Sequence, residues 1–294
     1  MKITITGSLG HISKPLIKQL VQKGHLVTVI SSNLERQKEI EDLRATAAIG
    51  TLEDIDFLTS AFAGADAVYT MIPPNNFFDP TLELQTYYGR IATNFTQAIE
   101  RSAVKRLVHL SSIGAHLDKE SGIILAHHNA ENILSKLSNV AITFMRPTAF
   151  YYNLKSFVNV IKYTGSIMSN YGGDDKIVWV SPIDIATAIA EELETPLAER
   201  KIHYVSSEEL TCNEVATILG EAIGKPELKW VLITNEQMQR ELEKIGINPG
   251  IAAGLTEMNA SMHNGKLFED YYKNKPSLGK VKLTEFAKEF ATAF

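Results

Sequence analysis

The chain has 294 residues, 45% of them hydrophobic and 21% charged, with a formal net charge of −5. That composition suits a globular protein with a sizeable core. It contains no basic block to follow a nucleic-acid backbone and no apolar run near the roughly 20 residues that cross a bilayer. The one cysteine, Cys212, excludes a disulfide framework within the chain and reads as an ordinary packed thiol. Met1 to Thr6 runs straight into a glycine turn, without the apolar stretch of a signal peptide, so the expected compartment is the cytoplasm.

Ile3 to Thr6 reads as a short buried strand. A glycine turn follows, then a helix with Ile12, Leu16, Ile17, Leu20 and Val21 on one face. Pro15 falls in its first turn and Gly24 stops it. Leu26–Ile30 is a second strand, 34–43 a charged helix, Ala47–Ile49 a third strand, and 58–62 helical. Ala67–Met71 is a fourth strand, 91–101 a helix, Leu107–Leu110 a fifth strand, 131–137 a helix, and Ile142–Met145 a sixth strand. This alternation predicts an α/β fold with a mostly parallel sheet, doubly wound with helices on both faces.

After residue 150 the pattern loosens. Ile177–Val180 and Lys201–Val205 read as strands, and 228–233 as one more. Ser181-Pro182-Ile183-Asp184 opens a helix with a serine cap and proline in first place. Thr211 and Glu214 have capping-box spacing. The expected division is 1–150 for the doubly wound unit and 151–294 for a smaller α/β lobe packed on it, with room for some segments to return to the first sheet.

Thr6-Gly7-Ser8-Leu9-Gly10-His11-Ile12-Ser13 joins the first strand to the first helix. In that context Gly7 permits a tight turn, Gly10 lets a diphosphate approach the backbone, and the helix start offers N–H groups. The alternative is a plain strand–helix turn. Ser13 stands where a third glycine would serve close packing. The end of the second strand, Ser31-Ser32-Asn33, carries neither the acid that holds the ribose of NAD nor the arginine that holds the phosphate of NADP. Arg36 and Lys38 lie just beyond, either within reach of a phosphate or on a solvated helix face. The balance leans to NADP(H) over NAD(H).

Taken together, these segments resemble the NmrA-like group of atypical short-chain dehydrogenase/reductases. The resemblance rests on Ile5-Thr6-Gly7-Ser8-Leu9-Gly10, Gly50–Asp54 with Ala63–Tyr69, Met71-Ile72-Pro73-Pro74, Leu110–Ala115, Thr143–Pro147 with Phe150–Asn153, Pro182–Ala186 and Leu283–Ala287. It implies an NAD(P)-binding Rossmann domain with a small substrate lobe. It also implies cofactor contacts at Gly7, Ser8, Leu9, Gly10, His11 and Ile12, at Ser31, Ser32 and Asn33, at Met71, Ile72 and Pro73, and at Pro147 and Thr148. Within the group the chain is most similar to the NAD(P)H:quinone oxidoreductase branch, in which His127 followed by Glu131 fits the helix pattern. Four positions depart from the group. Thr51 stands where Asp is frequent near the adenine, Ser32 where an NADP-binding Arg is common, and Ile123 and His127 where a catalytic Tyr-x-x-x-Lys pair would stand.

His127 is the leading side chain for a site role, because imidazole titrates near neutrality and hydrogen-bonds a carbonyl. Tyr151 and Tyr152 follow the sixth strand and offer a ring to stack or a hydroxyl; both also suit lobe packing. Phe77 and Phe78 either wall a flat apolar pocket or anchor their loop. His109, inside an apolar strand, reads as a core residue. No His or Cys spacing suits a metal, and none is expected. The leading function is hydride transfer from NAD(P)H to a quinone or similar flat, apolar carbonyl compound, by a monomer or weak homodimer. A dinucleotide-binding redox sensor that acts through a protein partner is a second reading, and a sugar-nucleotide epimerase a third.

Overall fold

The computed structural model describes residues 1–196 and 200–294. Seven parallel strands form the main sheet: β1 (Lys2–Ile5), β2 (Leu26–Ser31), β3 (Thr46–Ile49), β4 (Ala67–Met71), β5 (Arg106–Leu110), β6 (Ala141–Pro147) and β10 (Lys201–Val205), in the order β10-β6-β5-β4-β1-β2-β3. The order runs outward from β1 in both directions, so a crevice opens between the carboxyl ends of β1 and β4. This is the Rossmann fold. Helices α1 (Ser13–Gln22), α2 (Gln37–Asp42), α3 (Ile55–Phe62), α4 (Leu84–Ser102) and α5 (Leu125–Leu134) link the strands. One core lies under α1 around Ile5, Leu16 and Tyr69, and a second under α3–α5 around Phe62, Phe95 and Phe144.

α4 begins at Leu84, two turns before the apolar periodicity at Ile91, and α5 begins six residues before Glu131. In both, the first turns carry polar residues and are held by packing of one helix on the other. The charged stretch after β2 divides into a 3₁₀ turn, Leu34–Arg36, and α2.

Beyond β6 the chain alternates between two bodies. β7 (Ala149–Phe150), β9 (Lys176–Val180) and β11 (Glu208–Thr211) form a second sheet, and β8 (Ser166–Ser169) pairs with β12 (Lys229–Leu232). With α6 (Val158–Thr164), α8 (Cys212–Ala222), α10 (Pro249–His263), α11 (Glu269–Lys273) and α12 (Leu283–Ala291) they enclose a third core around Trp179, Tyr151, Phe286 and Phe290, while Leu242 of α9 (Asn235–Lys244) packs against the α3–α5 core. In contrast, α7 (Pro182–Glu194) lies on α1, where Gln19 Nε2 donates to Thr187 Oγ1 at 3.2 Å, and β10 closes the first sheet against β6. No helix among the described residues is long and apolar enough to cross a membrane.

α8 shows how local chemistry sets a boundary. The Thr211 hydroxyl accepts from Glu214 N at 3.1 Å, while the Glu214 carboxylate accepts from Thr211 N at 2.7 Å. Thr211→Ala is expected to lower stability by about 1 kcal/mol, measured as the shift of the urea midpoint at constant slope.

Candidate functional site

A cleft of about 500 Å³ opens over the carboxyl ends of β1, β2 and β4. Its floor is the glycine turn. Gly7 has φ +88° and Ser8 φ +51°, and Gly10 N donates to Gly7 O at 3.1 Å, which closes the turn. A Cβ on Gly7 would stand 2.5 Å from Ser13 Oγ and 3.0 Å from Met71 Cγ. Ser13 at the third position does more than stay small: its hydroxyl donates to Thr6 O at 3.1 Å and pins α1 to β1. The first turn of α1 therefore faces the cleft with its N–H groups and the positive end of the helix dipole.

Gly7, Ser8, Gly10, His11, Ile12, Ser31, Ser32, Met71 and Pro73 all line this cleft. Ser31 ties two loops together, accepting from Ser8 Oγ at 2.9 Å and from Asn33 N at 3.2 Å. Six residues expected to contact the cofactor lie off its lining. Leu9 is packed in the core beneath the turn, and Ile72 faces the α3–α5 core, because alternate strand residues point to opposite faces. Asn33 spends its side-chain oxygen capping the Leu34–Arg36 turn through Glu35 N, at 2.9 Å. Arg36 is exposed and reaches Glu39 at 3.4 Å, and Lys14 binds the same carboxylate at 2.7 Å. Pro147 and Thr148 are buried, with Thr148 N donating to Val205 O at 3.1 Å.

The two tyrosines after β6 part company. Tyr152 lines the cleft, with its ring stacked on His11 at 4.7 Å and tilted against Phe150 at 5.0 Å. Tyr151 does not reach the cleft. Its ring stacks on Phe286, and its hydroxyl donates to Glu208 at 3.2 Å and to Val281 O at 3.3 Å. Adjacent residues in the 3₁₀ turn 151–157 point apart, so only one of the pair can face the ligand side.

His127 also lies off the cleft lining, half-buried between α4 and α5 with the Tyr88 ring edge-on at 5.0 Å. Its Nδ1 has neither solvent nor a partner. Burial pushes its pKa down to about 4, so the ring is neutral at pH 7 and is not an imidazolium acid. His109 is a core residue, its Nδ1 2.8 Å from Thr70 Oγ1. Phe77 packs against the α3–α5 core while Phe78 is exposed, and the Phe77 carbonyl accepts from Asn248 N at 2.8 Å. Phe77 anchors the loop to the α10 start, and neither phenylalanine lines the cleft.

Beside the cleft ends, Arg146 forms a two-pronged pair with Glu131, at 2.9 and 2.6 Å, and Glu131 also accepts from Ser111 Oγ at 2.5 Å. This network fixes α5 to the ends of β5 and β6. Among the described residues, no group of three or more His, Cys, Asp or Glu could hold a metal ion.

Sequence reasoning passed over Tyr69, Tyr87 and Ile91, which wall the cleft with Gly50–Glu53 and Pro74. Tyr69 stands in an apolar strand and reads as core, and it is fully buried; yet its hydroxyl has no protein partner. A buried unpaired hydroxyl, a glycine cradle and a helix start together suit a long phosphate-bearing ligand laid across β1 and β4.

Known proteins with this architecture are reductases in several cases. The (4-alkanoyl-5-oxo-2,5-dihydrofuran-3-yl)methyl phosphate reductase of Streptomyces griseus subsp. griseus is 25% identical over 225 residues, 76% of this chain and 74% of that one. The NADPH-dependent quinone oxidoreductase of Escherichia coli, solved with NADPH, matches with a TM-score of 0.82 at 20% identity, over 98% of this chain and 99% of that one. The triphenylmethane reductase of Citrobacter sp. matches with a TM-score of 0.80 at 20% identity, over 99% and 100% of the two chains. The fold is therefore shared from end to end, and since the NmrA-like family pattern matches residues 1–289, the chain belongs to the NmrA-like family.

Proposed function

We propose that this protein is an NAD(P)H-dependent oxidoreductase that delivers a hydride to a quinone or a similar flat carbonyl compound. The observation that carries the reading is the cleft at the strand-order reversal, floored by the Gly7–Ser13 turn and walled by the flat rings of His11, Tyr152 and Tyr87. The three reductases named above support it. When bound, the reduced nicotinamide supplies the hydride. The chain's own residues do the rest. Gly7 and Gly10 give the diphosphate close access to backbone N–H groups, and the aromatic wall keeps water from the reacting face. Lys14 and Arg36, held on Glu39 beside the Ser31–Ser32 loop, supply positive charge that favours NADP(H).

By the family resemblance, Ile123 and His127 stand where a Tyr-x-x-x-Lys pair would handle a proton, and burial keeps His127 neutral. Acceptors whose reduced oxygen takes its proton from water suit such a site better than alcohols or sugars. The test is titration of the purified protein with NADPH and NADH, followed by a panel of benzoquinones. Binding followed by acceptor-dependent loss of the reduced-nicotinamide absorbance is expected, with NADPH preferred. The same neutral His127 favours a sensor as the second reading, which tight binding without oxidation by any acceptor would select.

A further inference from the structure

Building on the dinucleotide reading, we infer that Tyr69 is a cofactor-binding residue covered by Tyr152. In this inference the Tyr69 hydroxyl donates a hydrogen bond to an anionic diphosphate oxygen, and Tyr152 leaves its stack on His11 to admit that oxygen. Tyr69 pairs in register with Ile5, so its side chain shares the α1 face of the sheet and lies beneath the glycine turn. Thr6 N donates to Tyr69 O at 3.0 Å, and Met71, two residues on and on the same face, abuts Gly7. The hydroxyl therefore stands next to the part of the cleft built for phosphate.

Among the residues lining the cleft, Tyr69 is the one whose polar side-chain atom is sealed from water without a partner. Such a group weakens the fold that contains it, and phenylalanine would fill the same space without that penalty. The oxygen makes sense if its partner arrives with a ligand. Burial, with a further contribution from Tyr152, raises the Tyr69 pKa, so the phenol stays protonated and can only donate to the incoming oxygen. A hydrogen bond to an anionic oxygen is about twice as strong as a neutral one.

Tyr152 is placed to be the cover. Every other lining residue lies between Gly7 and Ile91, and Tyr152 alone comes from the chain beyond β6. A stack on His11 and a tilted contact with Phe150 hold it, on a short 3₁₀ turn. Rotation of that one side chain opens the wall without disturbing the sheet.

The experiment is Tyr69→Phe, made alone and with Tyr152→Ala. The ligand-free Tyr69→Phe protein should melt at or above the wild-type temperature. Its Kd for NADPH and for ADP should weaken by the same factor, about tenfold or more, while the Kd for adenosine is unchanged. In the Tyr152→Ala background water reaches the hydroxyl, so adding Tyr69→Phe should no longer raise the melting temperature. Tyr152→Ala alone should speed NADPH association in stopped-flow fluorescence. A lower ligand-free melting temperature with unchanged affinity would assign the hydroxyl a structural partner and overturn the inference. Weakened NADPH with unaltered ADP would overturn the diphosphate contact. Failure of the wild type to bind NADPH, NADH or ADP would instead remove the dinucleotide reading on which the inference stands.

Discussion

Glu192→Ala is expected to destabilise the protein by about 3–5 kcal/mol, the effect of leaving a buried charge without its partner. Arg106 and Glu192 are 2% and 3% exposed at their side chains. Arg106 Nη2 donates to the Glu192 carboxylate at 2.5 Å and to its carbonyl at 2.7 Å, while Nε and Nη1 have no partner. The same carboxylate accepts from Thr143 at 2.9 Å, Lys201 at 2.8 Å and His203 at 3.1 Å. One side chain at the end of α7 thus gathers β5, β6 and β10, and it holds the last strand to the sheet. Removing it strands a guanidinium in the core with a single carbonyl for company. An apolar double replacement, Arg106→Met with Glu192→Leu, should recover most of the loss, because neither charge then remains to be desolvated. Urea unfolding of the three variants at pH 7 is the measurement. A cost below about 1 kcal/mol for Glu192→Ala would mean that water reaches Arg106.

That hub also marks where sequence reading stops. The strands of the Rossmann body were legible because a parallel strand buried on both faces is a continuous apolar run, as in Ala67–Met71 and Leu107–Leu110. β8 (Ser-Ile-Met-Ser) and β11 (Glu-Glu-Leu-Thr) are short edge pieces with polar residues, and they carry no such signal. β10 was legible as a strand, but its place was not: its partner β6 lies more than 50 residues earlier, and local pattern cannot choose between sheets. At the candidate site, the glycine turn declared itself because close approach and positive φ limit residue choice. Tyr69 was hidden, because a tyrosine among valines and alanines announces a core. Tyr151 and Tyr152 were inseparable by type, and only the 3₁₀ turn decides which of them faces the cleft.

The second large effect is acid destabilisation that begins well above the carboxylate range. Burial, helped by the neighbouring His127, pushes the His109 pKa down to about 3, and burial alone pushes His127 down to about 4. His109 meets Thr70 and, at 6.2 Å, the Phe144 ring, while His127 meets the Tyr88 ring at 5.0 Å, and none of these carries a countercharge. An unfolded histidine takes up its proton near pH 6.5, before either folded one does. Between pH 6.5 and about 4 the unfolded chain therefore binds more protons, and stability rises with pH through that window. The contribution is complete above pH 6.5 and is lost as the pH falls towards the folded pKa values. For fully buried His109 it amounts to a few kcal/mol, and for half-buried His127 it is smaller. Glu192 adds a later phase. Burial pushes its carboxyl up, but hydrogen bonds from His203, Lys201, Thr143 and Arg106 outweigh that and hold it well below the usual carboxylate range. Its contribution is present above pH 4.5 and is lost only on further acidification. His109→Gln should therefore flatten the fall in urea midpoint between pH 6.5 and 4.5 and leave the steeper loss below pH 4.5 in place. An unchanged slope in the upper window would show that His109 is protonated in the folded protein, and that the interior between α4 and α5 is wetter than its packing implies.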